Sequence, residues 1–188
     1  LYVNFVLVDQ NDGTAYHDLR SVLSEEFEIM THIHVYRDKV RPEWIDYNGH
    51  MNVAFYVLAF DYATEAVLDK IGMGERYCTE EGKSVFVVES HITYQSEVLE
   101  NEPLEIRSYI LGYDLKRIHL YHEMFSAESG QKSATIEIMA LHVDMKSRKT
   151  TEINEVLLKT LHKLTVTSLE EGRPSGAGRK IKTLGKSA

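Results

Sequence analysis

Apolar and polar positions change period along the chain, and the changes divide it into elements. Residues 31–40 alternate and are rich in β-formers, which predicts a strand. Residues 41–51 carry Pro42, Asn48 and Gly49, break the alternation and predict a loop. From residue 52 to 71, apolar side chains fall at Phe55, Leu58, Ala59, Tyr62, Ala63, Ala66, Val67 and Ile71. Spacings of three and four mark one face of a helix of about five turns, with Gly72 and Gly74 placed to stop it. After Gly82 the period becomes two, predicting strands over 84–98, 104–112, 117–127 and 132–145. The turn signals at 101–103, 112–114 and 129–130 are short enough for hairpins. A last helical piece is expected over 155–164. One long helix with an apolar face needs a sheet to cover it, so the expected class is α+β, with an antiparallel sheet curled around that helix.

The ends are less patterned. Residues 1–9 alternate weakly, 11–13 signal a turn and 17–27 suit a short helix. The chain begins with Leu, as a processed or shortened chain would, and residues 1–30 are read as an appendage. The expected organisation is this appendage, one domain over 31–164, and a basic tail over 165–188.

Composition narrows the function. The 188 residues include 11 Gly and 3 Pro, with 43% hydrophobic and 27% charged, which excludes a collagen-like or disordered chain. No apolar run reaches the roughly 18 residues of a membrane span, and the start lacks a signal-peptide pattern. One cysteine, Cys78, removes an internal disulfide framework and an all-cysteine metal cage. A soluble, cytoplasmic protein is expected. From Arg173 onward five basic residues stand without an acid, leaving 16 basic against 29 acidic side chains before them, a net of −13. A body that acidic repels a phosphate backbone, so nucleic acid is not an expected partner. The tail itself reads as a solvated end, or as a contact for a small anion.

The stretch from Val40 to Asn52 concentrates the chemistry. It offers a carboxylate at Asp46, a glycine for a tight turn at Gly49, and a cap candidate at Asn52 before the long helix. The first helical turn leaves N–H groups free to polarise a carbonyl, with Asp46 near enough to attack it or to activate water. On spacing alone, an aspartate before a helix is more often a structural cap than a catalytic group.

The run from Asp46 to Tyr56 resembles the signature of hotdog-fold acyl-CoA thioesterases of the 4-hydroxybenzoyl-CoA thioesterase type, Asp-x-x-Gly-His-(Val/Met)-Asn followed by the central helix. The resemblance extends through His91 to Tyr94, the hairpin series, and His142 to Asp144, covering about residues 31–164. It implies a hotdog fold and hydrolysis of an acyl-CoA to free acid and CoA, with no cofactor or metal. Asp46 matches the catalytic carboxylate, as nucleophile or general base. Backbone N–H groups near Asn52 and Val53 match the donors to the thioester oxygen, and His50 and Asn52 match positions that shape the loop. The pocket in this family lies between subunits, so a homodimer or homotetramer is implied. The wording from Pro42 to Asn52, with Gly178 to Ile181, is similar to thioesterases associated with carnitine dehydrogenase, which act on betainyl-CoA. A trimethylammonium acyl group calls for aromatic faces, for which Trp44, Tyr47, Phe86 and Tyr94 are candidates beside Gly49 in the substrate-binding set. Lys116 and Arg117 are candidates for the CoA phosphates. The rival readings are a hotdog hydratase or dehydratase and a non-catalytic acyl-CoA-binding hotdog protein.

Other constellations carry less. His32 and His34 share a strand face without a third ligand nearby, and Cys78 has no patterned histidine partner. His119 and His122 fall on opposite faces of one strand and predict separate local contacts. Asp61 and Glu65 on the long helix read as a polar helix face, although one hotdog subgroup uses a helical glutamate as its catalytic acid. No phosphate loop, dinucleotide glycine series or nucleophile elbow is present.

Overall fold

The computed structural model describes residues 32–181; the elements expected before residue 31, and Lys182 and Lys186 of the tail, lie outside them. The strand β1 (His34–Lys39) is followed by a 3₁₀ turn, Pro42–Trp44, and the long helix α1 (Val53–Ile71). A short helix α2 (Glu75–Glu81) leads into β2 (Lys83–Tyr94), β3 (Pro103–Tyr113), β4 (Arg117–Ser126) and β5 (Lys132–Asp144). A two-residue strand β6 (Lys149–Thr150) and the helix α3 (Glu155–Ser168) complete the order. All pairings are antiparallel, and the sheet runs β1-β3-β4-β5-β2, with β6 on β5. The α+β arrangement expected from the pattern, a sheet wrapped around one long helix, is the one observed.

The helix lies on the sheet through Tyr56, Ala59, Phe60, Ala63, Val67 and Ile71, all buried. Ala59 and Ala63 leave room for the backbone to approach Ile106, Ile118, Leu120, Ile136 and Ile138 of the central strands. Asn52 caps the helix, its Oδ1 accepting the Ala54 N–H at 3.0 Å, and Gly72 ends it in the left-handed region at φ +90°.

One polar tie crosses this apolar layer. The fully buried His122 of β4 meets Ser108 Oγ of β3 through Nδ1 at 2.8 Å and Thr64 Oγ1 of α1 through Nε2 at 3.1 Å. Thr64 spends its hydroxyl proton on the Phe60 carbonyl at 2.9 Å, so it must accept from His122 Nε2–H. Its burial favours the neutral imidazole, whose Nδ1 then accepts from the Ser108 hydroxyl. Burial pushes its pKa down to about 3, aided by His34. His119, on the outer face of the same strand, instead meets Glu137 of β5 at 2.7 Å.

The structure adds features the periodicity does not show. α2 follows α1 almost at once, α3 continues to Ser168 rather than stopping at residue 164, and β2 ends at Tyr94 rather than residue 98. Beyond α3, residues 174–178 turn back onto the outer sheet face. There Ala177 packs on Tyr109, Leu111 and Tyr121, and the Gly178 N–H donates to Glu137 at 2.6 Å. A Cβ at Gly176 would sit 2.0 Å from the Tyr121 hydroxyl, so only glycine fits there. No helix among the described residues is long and apolar enough to cross a membrane.

Candidate active site

The loop between β1 and α1 is a closed backbone structure. Asp46 N–H donates to the His50 carbonyl at 3.1 Å, Gly49 N–H to the Asp46 carbonyl at 3.0 Å, and Ile45 bridges Met51. Gly49 takes φ +82°, with open space where a Cβ would stand, so the backbone conformation rather than crowding asks for glycine. The turn holds the Asp46 carboxylate at two points. Its Oδ1 accepts the Asn48 N–H at 2.8 Å, and its Oδ2 accepts from Asn52 Nδ2 at 3.4 Å. Asn52 thus caps α1 with one end of its amide and steers Asp46 with the other.

The helix N-terminus supplies fewer donors than the motif suggests. Asn52 N–H is spent on the Trp44 carbonyl at 2.9 Å, and Ala54 N–H on the cap. Phe55 N–H donates to the Asn52 carbonyl at 3.0 Å, which leaves the Val53 N–H without an acceptor among the described residues. Val53 is also 60% exposed, an apolar side chain left outside.

Val53 also lines a cleft of about 360 Å³, with His50, Met51, Tyr56, Tyr94, Gln95, Ser96 and Glu97. Tyr94 meets the buried Tyr56 ring edge-on at 5.2 Å and remains half-exposed. Burial pushes the Tyr56 hydroxyl up to about 12 and raises that of Tyr94, so both are neutral phenols at physiological pH. His50 Nδ1 lies 3.3 Å from the Met51 carbonyl. Of the sequence-based set, His50, Val53 and Tyr94 line this cleft, whereas Asp46, Gly49 and Asn52 lie in the loop outside its lining, with Asp46 tied to Asn52 at the head of α1. Tyr56, Gln95, Ser96 and Glu97 join the cleft unannounced. Tyr56 was visible only as the residue one turn beyond Asn52, and the other three sit where β2 ends earlier than its alternation.

The remaining residues are placed elsewhere. Trp44 is 2% exposed, stacked on Phe55 at 5.5 Å and covered by the Arg41 guanidinium at 4.8 Å. Phe86 lies eight residues from Tyr94 along β2, with the Arg148 guanidinium 4.8 Å over its ring. Tyr47 projects from the loop, 96% exposed. Lys116 and Arg117 stand at the end of the sheet remote from Asp46, where Arg117 pairs with Asp114 at 2.6 Å. Asp61 and Glu65 border a separate cleft of about 580 Å³ with Leu68, Met73, Val85 and Val87.

Three comparisons bear on this geometry. The thioesterase-like superfamily model matches residues 40–161, which contain the loop, α1 and the hairpin series. A betainyl-CoA thioesterase of Pseudomonas aeruginosa is 37% identical over 146 residues, 78% of this chain and 92% of the relative. An L-carnitine dehydrogenase/betainyl-CoA thioesterase of Rhizobium sp. is 36% identical over 75% of this chain, which spans only 28% of that longer protein. Among solved structures, a putative thioesterase from Pseudomonas putida KT2440 superposes with a TM-score of 0.69 at 35% identity, covering 80% of this chain and 96% of its own.

Proposed function

The chain belongs to the thioesterase-like superfamily and is an acyl-CoA thioester hydrolase, and from that premise we propose that Asp46 carries the reaction and that the acyl group is small and cationic, as in betainyl-CoA. One observation supports the site above others: a carboxylate is held by Asn48 and by Asn52, the residue that caps the five-turn helix α1 and directly precedes Val53, whose N–H is unsatisfied. The thioester oxygen accepts from Val53, where the positive end of the helix favours the developing negative charge. Asp46 then attacks the thioester carbon, giving a mixed anhydride that water opens, or takes a proton from the water that attacks. Either route breaks the C–S bond and releases CoA as thiolate, a leaving group stable enough to need no dedicated acid. The rings of Trp44 and Phe86 already carry guanidinium groups, so the aromatic faces free for a trimethylammonium are those of Tyr94 and Tyr47.

We further propose a homodimer, formed in the cytoplasm where CoA thioesters are made and used. Among the described residues the twelve of β2 form an unpaired sheet edge, and edges of that length are covered in stable proteins. Val87 and Val88 are exposed on it, and Val53 and Val57 are exposed one turn apart along α1. Below them on the same helix, Asp61 and Glu65 share a cleft with Val87, so this helix flank borders the free edge. A second copy covers both.

A panel of acyl-CoAs with free-thiol detection tests the activity and the acyl preference together. Betainyl-CoA is expected to be cleaved faster than its uncharged isostere 3,3-dimethylbutanoyl-CoA. Equal rates would remove the cationic specificity, and no thiol release from any member would favour an acyl-CoA-binding protein without turnover.

A further inference from the structure

Hydrolysis at Asp46 asks for more hydrogen-bond donors than the backbone supplies. As the thioester carbon is attacked, its carbonyl electron pair moves onto oxygen, and hydrolytic sites aim preorganised donors at that charge. At the head of α1 the N–H groups of Asn52, Ala54 and Phe55 are spent on the Trp44 carbonyl, the Asn52 side chain and the Asn52 carbonyl. Among the described residues this leaves the Val53 N–H alone, and a second donor has to come from a side chain.

Tyr56 is placed to be that side chain. It follows Val53 by three residues on α1, so the two share a helix face, and both line the cleft of about 360 Å³. Long side chains on a helix lean toward its N-terminus and cover the turn before their own Cα, which carries the Tyr56 phenol back over Val53. The ring is held firmly: Tyr56 is 4% exposed and meets Tyr94 edge-on at 5.2 Å.

Among the described residues the Tyr56 hydroxyl has one hydrogen bond, with the backbone of Val98. That bond lowers the phenol pKa against the larger rise that burial causes, as a bond donated to the phenol oxygen does. Val98 is fully buried and its N–H donates to no backbone carbonyl among the described residues, so Tyr56 Oη is its acceptor. The Val98 carbonyl accepts the Met51 N–H at 2.8 Å, which ties the same residue to the loop that carries Asp46. With its oxygen accepting, the phenol still has a proton to give. Glu97 and Glu102 act on it only through their charge, and a Glu102 oxygen is taken by the Leu99 N–H at 3.0 Å.

We propose that Tyr56 is a catalytic residue of the thioester hydrolysis, its hydroxyl donating a second hydrogen bond, beside the Val53 N–H, to the thioester oxygen as charge develops there. The proton stays on Tyr56. The electron pair that moves onto the oxygen while the new C–O bond forms returns when the C–S bond breaks, and CoA leaves as thiolate. Every acyl-CoA carries that oxygen, so the contact acts on rate whatever the acyl group, unlike a cation–π contact at Tyr94. The inference rests on the thioesterase reading above.

Tyr56→Phe keeps the ring and its contact with Tyr94 and removes one oxygen. It is expected to lower kcat about 10- to 100-fold for betainyl-CoA and 3,3-dimethylbutanoyl-CoA alike, with KM changed less than about twofold. The substitution also strands the Val98 N–H, so the melting temperature is expected to fall, and turnover is measured well below it. A packing role would not move the carbonyl stretch of a bound CoA ketone, a non-cleavable analogue with methylene in place of the thioester sulfur. A donor weakens the C=O bond, so the stretch is expected at higher frequency in Tyr56→Phe than in the wild type. Equal frequencies would overturn the proposal, as would a kcat within about twofold of wild type. If Tyr56→Phe does not fold, a crystal structure of the wild type with the ketone bound decides: Tyr56 Oη is expected about 2.7 Å from the ketone oxygen, and a separation beyond about 4 Å would overturn the proposal. An active wild type beside a fully active Tyr56→Phe removes the second donor and leaves the thioesterase reading standing; a wild type that cleaves no acyl-CoA removes both.

Discussion

Two aromatic residues with similar claims in the sequence separate once their surroundings are known. Tyr94 presents a half-exposed ring at the cleft, whereas Trp44 is sealed between Phe55 and Arg41. Tyr94→Leu keeps an apolar side chain and removes the π-face, so KM for betainyl-CoA is expected to rise about 3- to 30-fold and that for the uncharged isostere much less. Trp44→Leu is expected to act on stability, lowering it by about 2 kcal/mol through the emptied volume, without a selective change in KM. Steady-state kinetics on both substrates, beside a denaturant titration, checks the pair. Nothing in the sequence distinguished these rings, because both lie within or one strand from the same motif and burial is not a property of a motif. Asn52 was more legible. A cap before a long apolar stripe is a local matter, and the bond that makes it also a holder of Asp46 spans only six residues.

At the scale of elements, what could be read was whatever repeats. The long helix and the central strands alternate or cycle through enough residues for the core side to declare itself, and the observed ends differ by a few residues. α2 has seven residues with only Tyr77 buried, too few for a stripe, and its preceding Gly74 supplies no side-chain cap. The docked segment 174–178 was invisible for the opposite reason. It packs through one small side chain, Ala177, through the absence of one at Gly176 and through one backbone N–H, too little for a hydrophobic signature. His122 likewise reads as one polar residue in a strand until the fold sets Ser108 and Thr64 beside it. That tie carries a pH consequence. The fold favours the neutral imidazole, so as pH falls below about 6.5 the unfolded chain binds the proton and the folded chain does not. The contribution is full above that pH and is lost as pH falls toward about 3. At pH 5 the loss approaches about 2 kcal/mol. Denaturant titrations between pH 7 and 4 should show this decline in the wild type and a shallower one in His122→Gln; equal slopes would mean that His122 is not the group responsible.

For the whole molecule, the edge of β2, unpaired among the described residues, points to a second copy. Among the described residues, a single protomer leaves the twelve-residue edge of β2 unpaired, with Val87 and Val88 exposed on it and Val53 and Val57 exposed on α1. Light scattering at micromolar concentration should give about twice the 21.6 kDa chain mass, or four times it if dimers associate. A fully active 21.6 kDa species would contradict the homodimer.

The proposed hydrolysis rests on the Asp46 carboxylate, and Asp46→Asn removes that charge with least disturbance. Asparagine keeps the size and one acceptor oxygen, so the Asn48 turn and the cap on α1 should survive. The variant loses the charge that attacks the thioester or activates water. Turnover of the preferred acyl-CoA, measured beside thermal melting of the same sample, should fall at least about 100-fold while the melting temperature stays near that of the wild type. A folded Asp46→Asn protein that keeps near wild-type turnover would contradict the assignment.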